Sequence, residues 1–212
     1  PVVAVITSMA QPLGTHIGNA LEVKDAIDVL AGRTQGDLLE ISLLLGSHML
    51  VLAEKAKTLP EARAMLENAL SSGAGLRKLA EMIAAQGGDP RVVEDLSLLP
   101  QAAVKRVMRA ETAGYLSAMD TTALGMAAQR MGAGRAKKSD MLDYSVGYVL
   151  HVRLGDEVTE DTPLATLYAR NEAEAEEAEK AIRKVLKIAG EKPQTPKLWD
   201  AVVTAEGITY NR

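Results

Sequence analysis

The sequence predicts an α/β chain in two parts, and three observations carry that expectation. An uncharged apolar run, Val2-Val3-Ala4-Val5-Ile6-Thr7, reads as a buried strand, and Ser8 to Asp25 then forms a Pro/Gly-punctuated turn and the start of a capped helix. From Asn19 to Gln86 apolar residues recur at helical spacing. After Pro100 they alternate with a period of two, as half-solvated strands do. A strand-to-helix corner such as Ser8–Asp25, at the carboxyl end of a strand, is where α/β proteins usually place ligands and ions.

The opening strand is apolar on both faces, which predicts a place in the middle of a parallel sheet covered by helices. Because the chain opens on such a strand, with Pro1 ahead of it, the sequence reads as the C-terminal part of a longer polypeptide. Asn19 is the expected cap of a helix to about Ala31, with Glu22 reaching back to the cap. Leu21, Ala26, Ile27 and Leu30 line its inner face, Lys24, Asp25 and Asp28 lie off it, and Gly32 ends it. Asp37 opens a second helix, to about Lys57, whose stretch from Ile41 to Leu52 is apolar almost all round. It is either central to its domain or packed on something this chain does not contain. Pro60 starts a third helix through Leu70, and a fourth runs from about Leu76 to Gln86, ended by Gly87-Gly88. Residues 89 to 100 read as a loop with one short helical turn, and the domain boundary falls at Leu98 to Gln101.

Val104, Arg106, Met108 and Ala110 share one parity of a strand, and Glu111-Thr112-Ala113-Gly114 turns it into a second, Tyr115 to Met119. Asp120 caps a helix to about Met131, with Ala123, Leu124, Ala127, Ala128 and Met131 inside and Gly132-Ala133-Gly134 at its end. Val146–Val152 and Pro163–Tyr168 are two more strands around a Gly155-Asp156 turn. Glu172 to Ala189 is a helix with a charged outer face and an apolar stripe of Ala178, Ala181, Ile182, Val185, Leu186 and Ile188. Pro193 and Pro196 lead into a tail with one last edge strand.

Composition removes several classes of function. With 212 residues, 47% hydrophobic and 25% charged, the chain has the make-up of a soluble globular protein. A net charge of −4 and 3% aromatics, with no Phe, argue against a nucleic-acid or membrane-surface partner. The absence of Cys excludes disulfides, thiol nucleophiles and thiolate metal sites. No apolar run reaches the roughly 20 residues of a membrane span, and the N-terminus lacks signal-peptide features, so the expected compartment is the cytoplasm. His16, His48 and His151 show no zinc-type spacing. His16 near neutrality could act as a base, but the sequence offers it no identifiable partner, so it reads as a turn residue. His48 reads as a satisfied core or interface residue and His151 as an outer-face strand residue.

The ordered motifs are more specific. Gln11-Pro12-Leu13-Gly14, then Gly18-Asn19-Ala20-Leu21-Glu22-Val23, Gly46-Ser47-His48-Met49, Ala84-Ala85-Gln86-Gly87-Gly88-Asp89, Leu98-Leu99-Pro100-Gln101-Ala102, Leu124-Gly125-Met126-Ala127, Gly132-Ala133-Gly134-Arg135 and Leu154-Gly155-Asp156-Glu157-Val158 follow one another along essentially the whole chain. This set resembles the pyrimidine-nucleoside phosphorylase and thymidine phosphorylase family. The resemblance implies that residues 1–98 are the C-terminal portion of the family's catalytic α/β domain. It makes 101–212 its C-terminal domain, of α/β-hammerhead or barrel-sandwich-like type. The implied activity is a glycosyltransferase's: reversible phosphorolysis of a pyrimidine (deoxy)ribonucleoside, with phosphate as co-substrate, in a homodimer. The family's phosphate loop, base-holding Arg and Lys, and dimerising helices lie upstream, in an N-terminal half without counterpart here. The isolated chain is therefore expected to be inactive. The Gly-rich stretches present, Ser72-Gly73-Ala74-Gly75 and Gly132-Ala133-Gly134-Arg135, read as helix-end punctuation.

The resemblance also implies a monovalent or divalent cation, of potassium or calcium type. Its ligands would be the Leu13 and His16 carbonyls and the Asp25 carboxylate, which is chemically sensible because hard cations take oxygen ligands. Asp25 is shorter than the family's usual Glu, and His16 replaces a small residue. The alternative reading is a non-catalytic binding module with a biotinyl- or lipoyl-like barrel, suggested by Gly114-Tyr115-Leu116 and Leu154–Val158. A carrier role fails for want of a Lys in the stretch after Met119.

Overall fold

The computed structural model describes residues 1–211, and it is an α/β chain whose strand pairs are all antiparallel among those residues. In chain order the elements are β1 (Ala4–Thr7), β2 (His16–Ile17), α1 (Asn19–Leu30), α2 (Asp37–Leu52), α3 (Leu59–Ser71), α4 (Ala74–Ala85), β3 (Val104–Arg109), β4 (Gly114–Met119), α5 (Thr121–Ala128), β5 (Gly147–Leu150), β6 (Glu157–Val158), β7 (Pro163–Ala169), α6 (Glu172–Val185), β8 (Leu186–Ala189), β9 (Trp199–Thr204) and β10 (Gly207–Tyr210). Two short 3-10 turns, Pro90–Val93 and Leu96–Leu98, occupy the expected loop before Pro100. Among the described residues no helix is long and apolar enough to cross a membrane.

The chain divides into two compact units that are discontinuous in sequence. One comprises residues 1–8, 26–96 and 197 onward; the other comprises 9–25 and 97–196. The division after Leu96 falls beside the boundary expected at Leu98 to Gln101, but 9–25 and the tail each belong to the unit that is remote in sequence.

In the first unit the opening run corrects an expectation. β1 lies at the edge of a three-stranded antiparallel sheet of order β1-β9-β10, not at the centre of a parallel one. Val2 is 81% and Ile6 49% exposed. Apolarity on both faces called for neighbours on both sides, whereas β9 pairs with one edge alone. The helices follow their local signals. Thr58 caps α3 by accepting the Glu61 N–H at 3.3 Å, and the Glu61 carboxylate accepts the Lys57 N–H at 2.9 Å. Val29, Leu39 and Leu43 form a small core with Leu38, Leu66 and Leu70. α2 is not buried all round, since Leu45, Met49 and Leu52 face solvent beside buried Leu39, Ile41 and Leu43. It ends at Leu52, short of Lys57. Of the two readings of His48, a satisfied core residue is not what the structure shows, because its Nε2 is buried with no hydrogen-bond partner among the described residues.

The second unit holds the larger core. A four-stranded sheet, β2-β5-β7-β3, and a three-stranded one, β6-β4-β8, pack with α5 and α6 around Met108, Leu116, Leu124, Tyr148, Leu167 and Ile182. These two sheets do not close into a barrel among the described residues. The Tyr148 hydroxyl donates to the Leu124 carbonyl at 2.7 Å, and burial pushes its pKa up. Asp120 and Asn171 cap α5 and α6 by accepting the Ala123 and Glu174 N–H groups. α5 gives way at Gln129 to one π-helical turn to Ala133, which Gly132 breaks at φ 108°. The last helix is shorter than its apolar stripe suggested: Leu186 to Ala189 forms β8 and pairs with β4. Leu186 and Ile188 alternate with Lys187, so a strand carries both into the same core that the helical stripe would have reached.

Where β2 meets β5, Gly18 and Gly147 pass each other at φ 138° and 145°. A Cβ at Gly147 would lie 2.1 Å from the Ile17 carbonyl oxygen, and one at Gly18 would lie 2.4 Å from that of Val146. Both the space and the backbone angle exclude a side chain. Gly147→Ala is expected to cost about 2 kcal/mol or more in urea unfolding. Gly190→Ala, where nothing lies within 4 Å and φ is not positive, serves as the control and should change stability by less than about 0.5 kcal/mol.

Candidate functional site

Residues 9–25 belong to the second unit and are held within it by contacts along their length. The Leu150 N–H donates to the Thr15 carbonyl at 2.8 Å, and the Ala20 N–H to the Tyr144 carbonyl at 3.0 Å. Arg153 Nη1 donates to the Pro12 carbonyl at 2.6 Å and reaches that of Gly14 at 3.4 Å. The Leu154 N–H donates to Gln11 Oε1 at 3.0 Å, and the Thr121 hydroxyl to the Met9 carbonyl at 3.1 Å. An irregular turn exposes carbonyls that no ladder consumes, and here side chains take up several of them.

Gly18, not Asn19, caps α1. The Glu22 N–H donates to the Gly18 carbonyl at 2.8 Å, and Glu22 Oε1 accepts the Gly18 N–H at 3.3 Å. Asn19 Oδ1 is buried without a partner among the described residues. The expected Glu22 back-bond is present one residue earlier than expected, because Gly18 must already leave helical geometry to pass Gly147.

Asp25 was expected off the inner face of α1 and is instead 3% exposed, on the stripe it shares with buried Leu21 and Val29. Its Oδ2 accepts the Thr15 N–H at 3.2 Å, and its Oδ1 lies 3.5 Å from His16 Nδ1. The same Nδ1 is 3.0 Å from the Thr15 hydroxyl. His16 thus has the carboxylate and hydroxyl neighbours that the sequence did not identify. The signal was the spacing itself: a turn ending at Thr15 and a helix beginning at Asn19 fold Asp25 back over the turn. A buried carboxylate is costly unless hydrogen-bonded, and the Thr15 N–H supplies one such bond.

Of the three residues implied as cation ligands, the structure brings the His16 ring, not the carbonyl of the implied set, to the Asp25 carboxylate. The Leu13 carbonyl takes no hydrogen bond among the described residues. The donor set fits a hard cation in kind, with one buried carboxylate and a carbonyl left without a donor. It falls short in number of the six or more oxygens such an ion takes. No group of three or more His, Cys, Asp or Glu side chains poised for a metal occurs among the described residues.

Neither glycine-rich stretch makes a phosphate cradle. Gly73, at φ 70°, is the N-cap of α4, and Gly132 breaks the π-helical turn after α5. The cleft of about 210 Å³ beside the second stretch is lined by Asn19, Glu22, Gln129 and Gly134, among others, and by no Lys or Arg. A carboxylate there repels an anion. A groove of about 350 Å³ among α1, α2 and α3 does contain Arg63. Its guanidinium is already bound to Glu40 at 3.0 Å and Glu67 at 2.8 Å.

His151 is exposed, as expected, with Nε2 2.7 Å from the Thr166 hydroxyl. Partial burial lowers its pKa below the usual value. The unfolded chain then binds this proton at a higher pH than the folded one, so the neutral ring's contribution is complete above the unfolded pKa and is lost as pH falls. Stability should decline as the pH drops below about 6.5, and His151→Gln should remove that component, read from urea midpoints across the range.

Residues 115–189 match the pyrimidine nucleoside phosphorylase C-terminal domain. Over 204 residues the chain is 47% identical to the pyrimidine-nucleoside phosphorylase of Bacillus subtilis, covering 95% of this chain and 46% of that protein. The enzyme of the same name from Geobacillus stearothermophilus is 45% identical over 195 residues, 92% of this chain and 45% of its own length. That from Staphylococcus aureus is 45% identical over 169 residues, 80% of this chain and 39% of its own. The chain thus spans less than half the length of these relatives.

Proposed function

We propose that this chain, which carries the pyrimidine nucleoside phosphorylase C-terminal domain, is part of an enzyme that cleaves pyrimidine nucleosides with phosphate. In that reaction a phosphate oxygen attacks the anomeric carbon of the (deoxy)ribose. The C–N glycosidic bond breaks with its electron pair leaving on the base, and the products are a pyrimidine and a sugar 1-phosphate. The observation that carries the reading is 47% identity to a pyrimidine-nucleoside phosphorylase along 95% of the chain.

On this reading the chain supplies no catalytic group of its own. The cleft beside Gly134 is lined by Glu22 and by no Lys or Arg, and Arg63 in the groove among α1, α2 and α3 is paired with Glu40 and Glu67. The phosphate- and base-holding residues belong to the remainder of the polypeptide, the chain's principal partner, and the whole works as a cytoplasmic homodimer. The second unit is the family's hammerhead-type C-terminal domain; its two sheets and two helices support that assignment over a lipoyl-like module. A potassium- or calcium-type cation belongs to the same reading, with Asp25 as its side-chain anchor, the Leu13 and His16 carbonyls as further ligands, and the remaining oxygens from water or from outside these residues. Its charge would offset the buried carboxylate beside His16.

Two preparations test this. The isolated chain, incubated with thymidine or uridine and phosphate, should release no base on chromatography. A chimera in which this chain replaces the matching stretch of the Bacillus subtilis enzyme should release it. A folded chimera without phosphorolysis would contradict the assignment, and base release by the isolated chain would contradict its lack of a catalytic cradle.

A further inference from the structure

We propose that Arg153 is a positioning residue for the cation turn: its guanidinium fixes the Pro12 and Gly14 carbonyls and so sets the geometry of the Leu13-to-His16 backbone that would ligate the ion. The inference rests on the cation reading above. Its basis is the set of contacts that Arg153 makes with the turn. Arg153 Nη1 spans the two carbonyls that flank Leu13, at 2.6 Å to Pro12 and 3.4 Å to Gly14. The Leu13 carbonyl between them has no donor among the described residues. A planar guanidinium with several fixed donors can hold two carbonyls of one turn at once.

The base of the side chain is itself held. The Arg153 N–H donates to Asp156 Oδ2 at 2.7 Å, and the Gly155 N–H to the Leu116 carbonyl at 2.9 Å. Gly155 takes φ 88°, and the Leu116 N–H returns a bond to the Asp156 carbonyl at 2.9 Å. Next to it the Leu154 N–H grips Gln11 Oε1. The Arg153-Leu154-Gly155-Asp156 turn is therefore a rigid bracket on β4, and it clamps the residues just before the ligands. Carbonyl ligands bind an ion tightly when the fold has already oriented them, and loss of outer supports usually weakens metal affinity by about ten- to a hundredfold. A second effect opposes this one: the guanidinium is positive and repels a cation. The clamp and the repulsion predict opposite outcomes when the charge is removed, which makes the proposal decidable.

The test is thermal unfolding of the chimera that carries this chain in the Bacillus subtilis enzyme, followed by circular dichroism, in KCl or CaCl2 against choline chloride at matched ionic strength. The wild type should gain stability specifically from one of the two cations, and Asp25→Asn should abolish the gain. Arg153→Gln should keep the far-UV spectrum while the cation concentration for half the gain rises by about tenfold or more. Arg153→Lys, which keeps a donor and the charge, should fall between the two. An Arg153→Gln midpoint equal to or below the wild-type value overturns the proposal and leaves the cation reading standing. Run in the chimera with the Bacillus subtilis enzyme, which supplies any ligands from outside these residues, no cation-specific gain with the unaltered chain overturns the cation reading, and this proposal with it. If Arg153→Gln does not fold, Arg153→Lys decides: a severalfold weaker midpoint supports the clamp and an unchanged one rejects it.

Discussion

The close passage of Gly18 and Gly147 is the constraint on which the rest of the site depends. With a Cβ at either position the backbones could not approach, because each would meet a carbonyl oxygen at 2.4 Å or less. The approach lets β2 pair with β5, which brings the Thr15 carbonyl to the Leu150 N–H and the Ala20 N–H to the Tyr144 carbonyl. It also forces Gly18 out of helical geometry, so α1 starts there and Glu22 closes the cap. One helical turn later Asp25 lies over the Thr15 N–H and beside His16. A segment that begins far from the second unit in sequence thereby becomes part of it.

What the sequence made legible follows from how local each cause is. The cap at Asp120, Pro60 in the first turn of α3, the glycine stop at Gly32 and the alternation of β3 depend on residues within one turn or strand, and the structure repeats them. Failures occur where a remote partner decides. β1 was read from its own apolarity, but its burial is set by what lies beside it, and β9 comes from the far end of the chain. Leu186 to Ala189 fits a helical stripe and an alternating strand equally well, and pairing with β4 decides between them. Asp25 looked like a solvated helix carboxylate because its acceptor role depends on a turn ten residues earlier.

The candidate site divides in the same way. The motifs from Gln11 to Val23 could be recognised in order, but nothing in them revealed Arg153, which reaches the Pro12 carbonyl from 141 residues away. Sequence adjacency supplies Leu13, His16 and Asp25; the fold supplies the bracket that holds them. On the proposed function, the chain's contribution is architectural: a braced turn and a buried carboxylate.

Native-state hydrogen exchange of the Ala20, Leu150 and Leu167 amides tests the central claim most directly. If residues 9–25 are built into the second unit through the glycine crossing, Ala20 and Leu150 exchange with the same opening free energy as Leu167 in the buried sheet, and Gly147→Ala lowers all three together. Exchange of Ala20 and Leu150 through a much cheaper opening, with Leu167 still protected, would show the segment to be a loosely attached arm and contradict the account.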